Sequence, residues 1–302
     1  MVGGDLISMI KIPKRDDKII QFHRGLKDME NLKDSKAEQD SADVRCPSAA
    51  PCYIISVSYG NDSIALIQWA HEQELDNCFV VYCDTGWAHP DWPARVKKGM
   101  ALAEKYGFVT WNVKGMGFEE MVMMKKGFPS NKMQFCSGIL KVIPFGDFAE
   151  FIDPAKEATV IIGKRRAESR SRANSPEFVL QSEHQEGRNV WHPLYKHTDK
   201  ERNKLIRKAG FKPLPHRSLE CCPCVNANRM DLRQTPEVQL DKLRRLEAET
   251  GRELFRAYRH QGAWGIDEVM EWANSGRGQY IHGQGKLWNY RGELCGSGMC
   301  GT

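Results

Sequence analysis

The chain has 302 residues, 27% of them charged and 41% hydrophobic, with a net charge of +5. That length suits one large domain, or one domain with a smaller appendage. No apolar run approaches the roughly 20 residues of a membrane-spanning helix, and the N-terminal segment lacks the apolar stretch of a secretory signal, so no membrane partner is expected and the protein is predicted to be cytoplasmic.

Residues 1–50 are polar and run into the segment R-C-P-S-A-A-P, which reads as an extension ahead of the main domain. Tyr53–Ser58 (Y-I-I-S-V-S) is apolar and β-branched, the pattern of a buried strand. A tight turn follows, and Ile64, Leu66, Ile67 and Ala70 then recur at helical spacing across 62–75. Cys78–Cys83 (C-F-V-V-Y-C) is a second buried strand, 91–106 a helix ended by Gly107, and Val109–Val113 a third strand. Residues 118–126 predict a short helix, and 137–151 a helix broken or kinked by Pro144. Thr159–Ile162 is a fourth strand.

Strands alternating with helices over short connections predict an α/β fold, a parallel sheet with helices on both faces. Ligands of such sheets bind at the carboxyl ends of the strands. After Pro193 the texture changes: helices are predicted over 200–209, 236–250 and 266–274, with a Cys- and Pro-bearing loop at 213–224 and a glycine-rich tail from Gly276. The expected organisation is an extension at 1–50, a nucleotide-binding domain at 51–215 and a Cys-rich helical region at 216–302.

The turn S-Y-G-N-D-S, Ser58 to Ser63, joins the first strand to its helix. A helix N-terminus presents unpaired N–H groups and a partial positive charge. Gly60 lets backbone approach a ligand, Ser58 and Ser63 add hydroxyls, and the whole reads as an anion cradle. Asp62 is either a helix cap or a holder of Mg²⁺ beside phosphates. A plain capped turn explains the segment equally well. Basic residues are otherwise spread along the chain. The densest group, Lys164, Arg165, Arg166, Arg170 and Arg172, fits a phosphate-rich small ligand as well as a nucleic acid.

Ten cysteines are many for a reducing compartment, where they point to metal or redox roles rather than disulfides. Cys221, Cys222 and Cys224 form one knot, and Cys295 and Cys300 lie near the end of the sequence. Cys46, Cys52, Cys78 and Cys83 lie in or near apolar stretches and read as small core residues.

The turn resembles the PP-loop, S-G-G-x-D-S, of the adenine-nucleotide alpha-hydrolase superfamily, matching at Ser58, Gly60, Asp62 and Ser63, with Tyr59 in place of the first glycine and Asn61 at the position commonly lysine. Asp84-Thr85-Gly86, leading to Pro90-Asp91, resembles the D-T-G-x-x-F-P-E segment of phosphoadenosine-phosphosulfate (PAPS) reductases. Gly163, Arg165, Glu168, Ser169 and Arg172 match that family's G-x-R-x-x-E-S-x-x-R signature. The run from Cys136 through Lys141 to Pro144 is similar to its cysteine–lysine–proline segment. Arg217 to Cys224 is similar to R-S-x-G-C-x-P-C, with Glu220 at the glycine.

The resemblance implies that Ser58, Gly60, Asn61, Asp62, Ser63, Asp84, Thr85, Gly86, Lys141, Gly163, Arg165, Glu168 and Arg172 bind an adenine nucleotide, ATP or PAPS. It implies a [4Fe–4S] cluster on Cys136, Cys221 and Cys224, with Cys222, Cys295 or Cys300 as fourth ligand. Zinc and free thiols are the alternatives. Glu293-Leu294-Cys295-Gly296 loosely resembles the reductase tail, which makes Cys295 the candidate nucleophile.

Two enzyme readings share this scaffold: ATP-dependent sulfur transfer through an adenylated substrate, and reduction of PAPS or adenylyl sulfate to sulfite. A thioredoxin-like reductant or a sulfur-donor protein would be the partner. The third reading is a non-catalytic nucleotide sensor or nucleic-acid-binding partner.

Overall fold

The computed structural model describes residues 45–46, 50–169, 172–255 and 265–275. The extension predicted before Tyr53 falls almost wholly outside them, as do Arg170, Cys295 and Cys300.

The chain order is β1 (Tyr53–Val57), α1 (Asn61–Glu72), β2 (Cys78–Asp84), α2 (Trp92–Lys105), β3 (Val109–Lys114), α3 (Phe118–Lys125), α4 (Ile143–Ile152), β4 (Thr159–Ile162), β5 (Phe178–Val179), β6 (Asn189–Trp191), α5 (Asp199–Lys208), α6 (Arg229–Arg233), α7 (Glu237–Thr250) and α8 (Ile266–Asn274). The strands form one sheet in the order β3-β2-β1-β4-β6-β5. All pairs are parallel except β5 with β6. The α/β architecture expected from the alternating pattern is therefore the observed one. No helix among the described residues is long and apolar enough to cross a membrane.

Because side chains alternate across a strand, Ile55, Val57, Val80 and Tyr82 fall on one face. There they pack with Ile64, Ile67, Val96, Leu102 and Leu205 from α1, α2 and α5. The other face is covered by α4, where Phe148 meets Trp111 of β3 at a ring separation of 5.3 Å. Each side chain buried so completely contributes about 1.5–3 kcal/mol.

A second cluster joins Trp87, Phe118, Met121 and Leu140 to Leu232, Leu243, Leu246 and Val269. It draws on both sides of residue 215, so the C-terminal helices share a core with the loops after β2 and β3.

Three expectations need correction. Cys46 and Cys52, read as free core residues, form a disulfide with Cα atoms 5.7 Å apart, and Cys46 N–H donates to the Ile152 carbonyl at 2.9 Å. The compartment argument spoke for the cysteines as a group and could not detect a local pair six residues apart. Pro144 does not break its helix: the run from Phe135 to Ile152 stays helical through it, and the distortion takes the form of a π-helical turn at Gly138–Val142 directly before α4. The sheet also continues past Ile162 through β5 and β6, strands of two and three residues that are too short to show a period.

Candidate functional site

Strand β1 lies between β2 and β4, and the chain runs outward from it in both directions. This reversal of strand order opens a crevice at the carboxyl ends of β1 and β4. Gly163, just after β4, shows how closely the two ends meet, since a Cβ there would lie 3.3 Å from the Asp62 carbonyl oxygen.

The turn after β1 is built from its own side chains. Ser58 N–H donates to Ser63 Oγ at 2.9 Å, Gly60 N–H donates to Ser58 Oγ at 3.3 Å, and the two hydroxyls are 3.2 Å apart. The first-turn N–H groups of α1, from Asn61 to Ser63, have no carbonyl to reach within the helix. Tyr59, where the PP-loop has glycine, adopts φ = 57°, the left-handed region that glycine favours. Its ring is fully buried against Tyr82, 5.7 Å between centroids, and against Gly99 of α2. Arg95 Nε donates to the Tyr59 carbonyl at 2.7 Å. Asn61 does not face the cradle. Its amide exchanges two hydrogen bonds with the backbone of Leu214, at 2.9 and 2.8 Å, and so ties the 214–224 loop over the turn.

That loop then lies along the Asp84-Thr85-Gly86 turn. Thr85 Oγ1 donates to the Glu220 carbonyl at 2.7 Å, His89 N–H to the Leu219 carbonyl at 2.9 Å, and Cys222 N–H to the Trp87 carbonyl at 2.7 Å. Asp84 accepts from Gly86 N–H at 2.9 Å, and Gly86 has φ = 66°. Beside Asp84 opens a cavity of about 400 Å³ lined by residues including Tyr82, Val96, Met100, Glu104 and Asn112.

The charged residues of the third motif converge on Asp62. Arg165, 2% exposed, donates through Nε to Asp62, through Nη2 to Asp199 at 2.9 Å and through Nη1 to the His197 carbonyl at 3.2 Å. The structure thus places this guanidinium as the holder of Asp62, whose Oδ1 it engages. Arg202 stands 3.8 Å from the same oxygen. Arg172 is ion-paired with Glu168, which also accepts from Arg165 N–H at 3.0 Å.

Burial first, and then Arg217 and Arg165, lower the Arg172 pKa, against the pull of Asp62. Burial and Arg172 likewise lower that of Lys164. Cations crowded this way are relieved by an incoming anion. Arg202 and Asp199 escaped the sequence reading because nothing marks the start of α5 except its cap, Thr198 with Glu201.

Lys141, in the π-helical turn, is paired with Glu220 at 2.5 Å. Burial works against its charge, but Glu220 and then Cys221 outweigh that and hold its pKa above the usual value.

The candidate metal ligands divide. Cys222 is buried, its sulfur 4.0 Å from Thr235 Oγ1, and Cys221 donates to Thr85 Oγ1 at 3.6 Å. Burial pushes these thiols up to about 11 and about 12. Cys224 is close enough to raise the pKa of both Cys136 and Cys221, second to burial for Cys136 and after burial and Glu220 for Cys221. Among the described residues no group of three or more His, Cys, Asp or Glu side chains converges as a metal site. Among the described residues the thiols do not complete the four-thiolate set of a [4Fe–4S] cluster.

A mostly parallel sheet with a strand–turn–helix at its switch point and basic residues around it defines a doubly wound α/β domain. The sequence model of the phosphoadenosine phosphosulfate reductase domain matches residues 52–221, and the chain belongs to that family. An uncharacterized 37.8 kDa protein of Escherichia phage 186 is 28% identical over 244 residues, 63% of this chain and 72% of that protein.

Among solved structures, the phosphate complex of PAPS reductase from Candida auris is 17% identical with a TM-score of 0.40. The match covers 67% of this chain and 90% of that one. The U34-tRNA thiolase NcsA from Methanococcus maripaludis, solved with its [4Fe–4S] cluster, is 15% identical with a TM-score of 0.41, covering 77% and 80%. The ammonia-dependent NAD synthetase from Campylobacter jejuni is 14% identical with a TM-score of 0.35, covering 78% and 93%.

Proposed function

We propose that this chain is an enzyme that binds an adenine nucleotide, seats its phosphates on the Ser58–Ser63 turn and activates a substrate by substitution at the α-phosphorus, in the sulfur chemistry of its family. The observation that carries this reading is the turn itself. Two hydroxyls and the open end of a 12-residue helix face a crevice with Lys164 and Arg172 beside it.

The acceptor atom attacks the α-phosphorus, the bond to the bridging oxygen breaks, and pyrophosphate leaves with the electron pair. The basic rim holds the charge that builds on that leaving group. Arg165 keeps Asp62 in place under the turn, so in this reading it acts on the nucleotide by positioning. The cavity beside Asp84, apolar at Val96 and Met100 and polar at Asp84 and Asn112, suits a heteroaromatic base.

The test is calorimetry with ATP and PAPS on Ser58→Ala/Ser63→Ala, a variant that leaves the buried Arg165 its carboxylate partner. Loss of two hydroxyl contacts should weaken binding by about 1–3 kcal/mol, roughly tenfold to a hundredfold. Met100→Trp, which fills the cavity, should weaken it as well. Unchanged affinity for both nucleotides in the serine variant would remove this reading.

A further inference from the structure

The crevice has two ends of different charge. On the β4 side cations outnumber carboxylates: Arg165 and Arg202 engage Asp62 and Asp199, and Arg172, paired with Glu168, lies close to Lys164 and Arg217. On the β2 side Lys141 is already taken by Glu220 at 2.5 Å, and Asp84, Lys97 and Glu104 line the cavity beside them with charges that do not sum to a positive site. Glu220 is held in place from two directions. Its carbonyl accepts from the buried Thr85 hydroxyl at 2.7 Å, and its carboxylate, 15% exposed, turns onto the lysine.

Two residues before it, Ser218 closes on the phosphate turn, where a Cβ on Gly60 would come within 3.1 Å of the Ser218 Cβ. Glu220 therefore lies on the loop that covers the turn, and its lysine partner lies at the end of β2, where the Cys83 thiol donates to the Lys141 carbonyl at 3.6 Å.

We propose that Glu220 is a specificity-determining residue. By neutralising Lys141 it makes the place beside that lysine refuse an anionic group, so that the atoms bound against it belong to an uncharged or cationic acceptor and not to a sulfate carried on the nucleotide. This rests on the nucleotide reading above. The physical ground is that an anion brought to Lys141 must either displace the Glu220 carboxylate into a half-buried site without its partner or sit against it as a like charge. Both are costly at a carboxylate only 15% exposed. Lysine alone at the same place would be an anion site.

The experiment compares the wild type with Glu220→Gln and Glu220→Ala, using adenosine 5′-phosphosulfate, ATP and inorganic sulfate as probes in calorimetry. Relief of a like-charge contact should tighten adenosine 5′-phosphosulfate by at least about tenfold in both variants, with ATP changed by less than about threefold. Inorganic sulfate should bind Glu220→Ala detectably more tightly than wild type, and lose that gain in Glu220→Ala/Lys141→Ala.

The proposal is overturned if neither variant gains affinity for adenosine 5′-phosphosulfate, or if ATP gains as much, which would be a general effect of net charge. It is also overturned if the sulfate gain survives loss of Lys141. Glu220→Gln, which keeps a hydrogen-bonding partner for Lys141, carries the test if the alanine variant fails to fold. Wild type that binds no adenine nucleotide, with the sulfate arm behaving as stated, locates the failure in the nucleotide reading and leaves Glu220 as the gate of the Lys141 anion site.

Discussion

Replacing Gly99 by alanine should unfold the protein at a lower temperature, although the position lies within α2 and alanine is the better helix former. The added Cβ would stand 2.2 Å from Cδ1, 2.7 Å from Cε1 and 2.9 Å from Cγ of Tyr59. These are ring atoms of a side chain with no exposed surface, and the ring is also held against Tyr82. It cannot swing aside without moving the backbone at φ = 57° and with it the Ser58–Ser63 turn.

Overpacking of this kind costs about 1–3 kcal/mol. At about 2–4 °C per kcal/mol for a domain of this size, the midpoint should fall by roughly 2–12 °C. Calorimetric unfolding measures it, and nucleotide affinity should fall in the same variant because the cradle shifts. In a Tyr59→Gly background the added methyl should cost almost nothing, a coupling a double-mutant cycle reads directly. A Gly99→Ala protein that melts with the wild type would refute the account of how Tyr59 is seated.

Two further outcomes follow from the charged rim. Arg165→Ala removes the buried guanidinium that holds Asp62, while the part-exposed Asp62 and exposed Asp199 keep Arg202 beside them, and should cost about 1–3 kcal/mol in urea unfolding. A loss below about 1 kcal/mol would show that the guanidinium is not structural. His192 is buried, and burial first, then Lys164 and Arg172, lower its pKa against the opposing Pro176 carbonyl. The folded protein therefore holds it neutral. Its stabilising contribution is complete above the unfolded value of about 6.5 and is lost as pH falls below that value toward the folded pKa. Bound phosphate, screening the two cations, should raise that pKa in an NMR titration, and His192→Gln should flatten the stability profile between those two pKa values. A His192 that titrates at the unfolded value, or ignores phosphate, would contradict this.

The parts of the molecule legible in the sequence were those written locally. β1, β2 and β4 are contiguous apolar runs, and the Ser58–Ser63 turn carries its hydroxyls, glycine and helix start within six residues. What was not legible depends on partners far along the chain. The strain at Tyr59 is accommodated by Gly99, forty positions later. Lys141 finds Glu220 at a separation of 79, and Arg165 finds Asp199 at 34. A lysine or arginine in a motif announces an anion, but only the fold says whether that anion is a ligand or the protein's own carboxylate.

The hydrogen bonds between Asn61 and Leu214 span 153 residues, and the Thr85–Glu220 bond spans 135. During synthesis the first strand and its turn emerge long before the loop that ties them down. At about 5–20 residues per second, that interval is on the order of ten seconds or more. The sheet can pair in that time, but the crevice stays uncovered until the segment from Leu214 to Cys224 arrives. A ribosome stalled before that point would carry a chain with its core strands formed and its site still open. The covering of the crevice is therefore set late in the life of the nascent chain, by the loop from Leu214 to Cys224 and not by the first motif to appear.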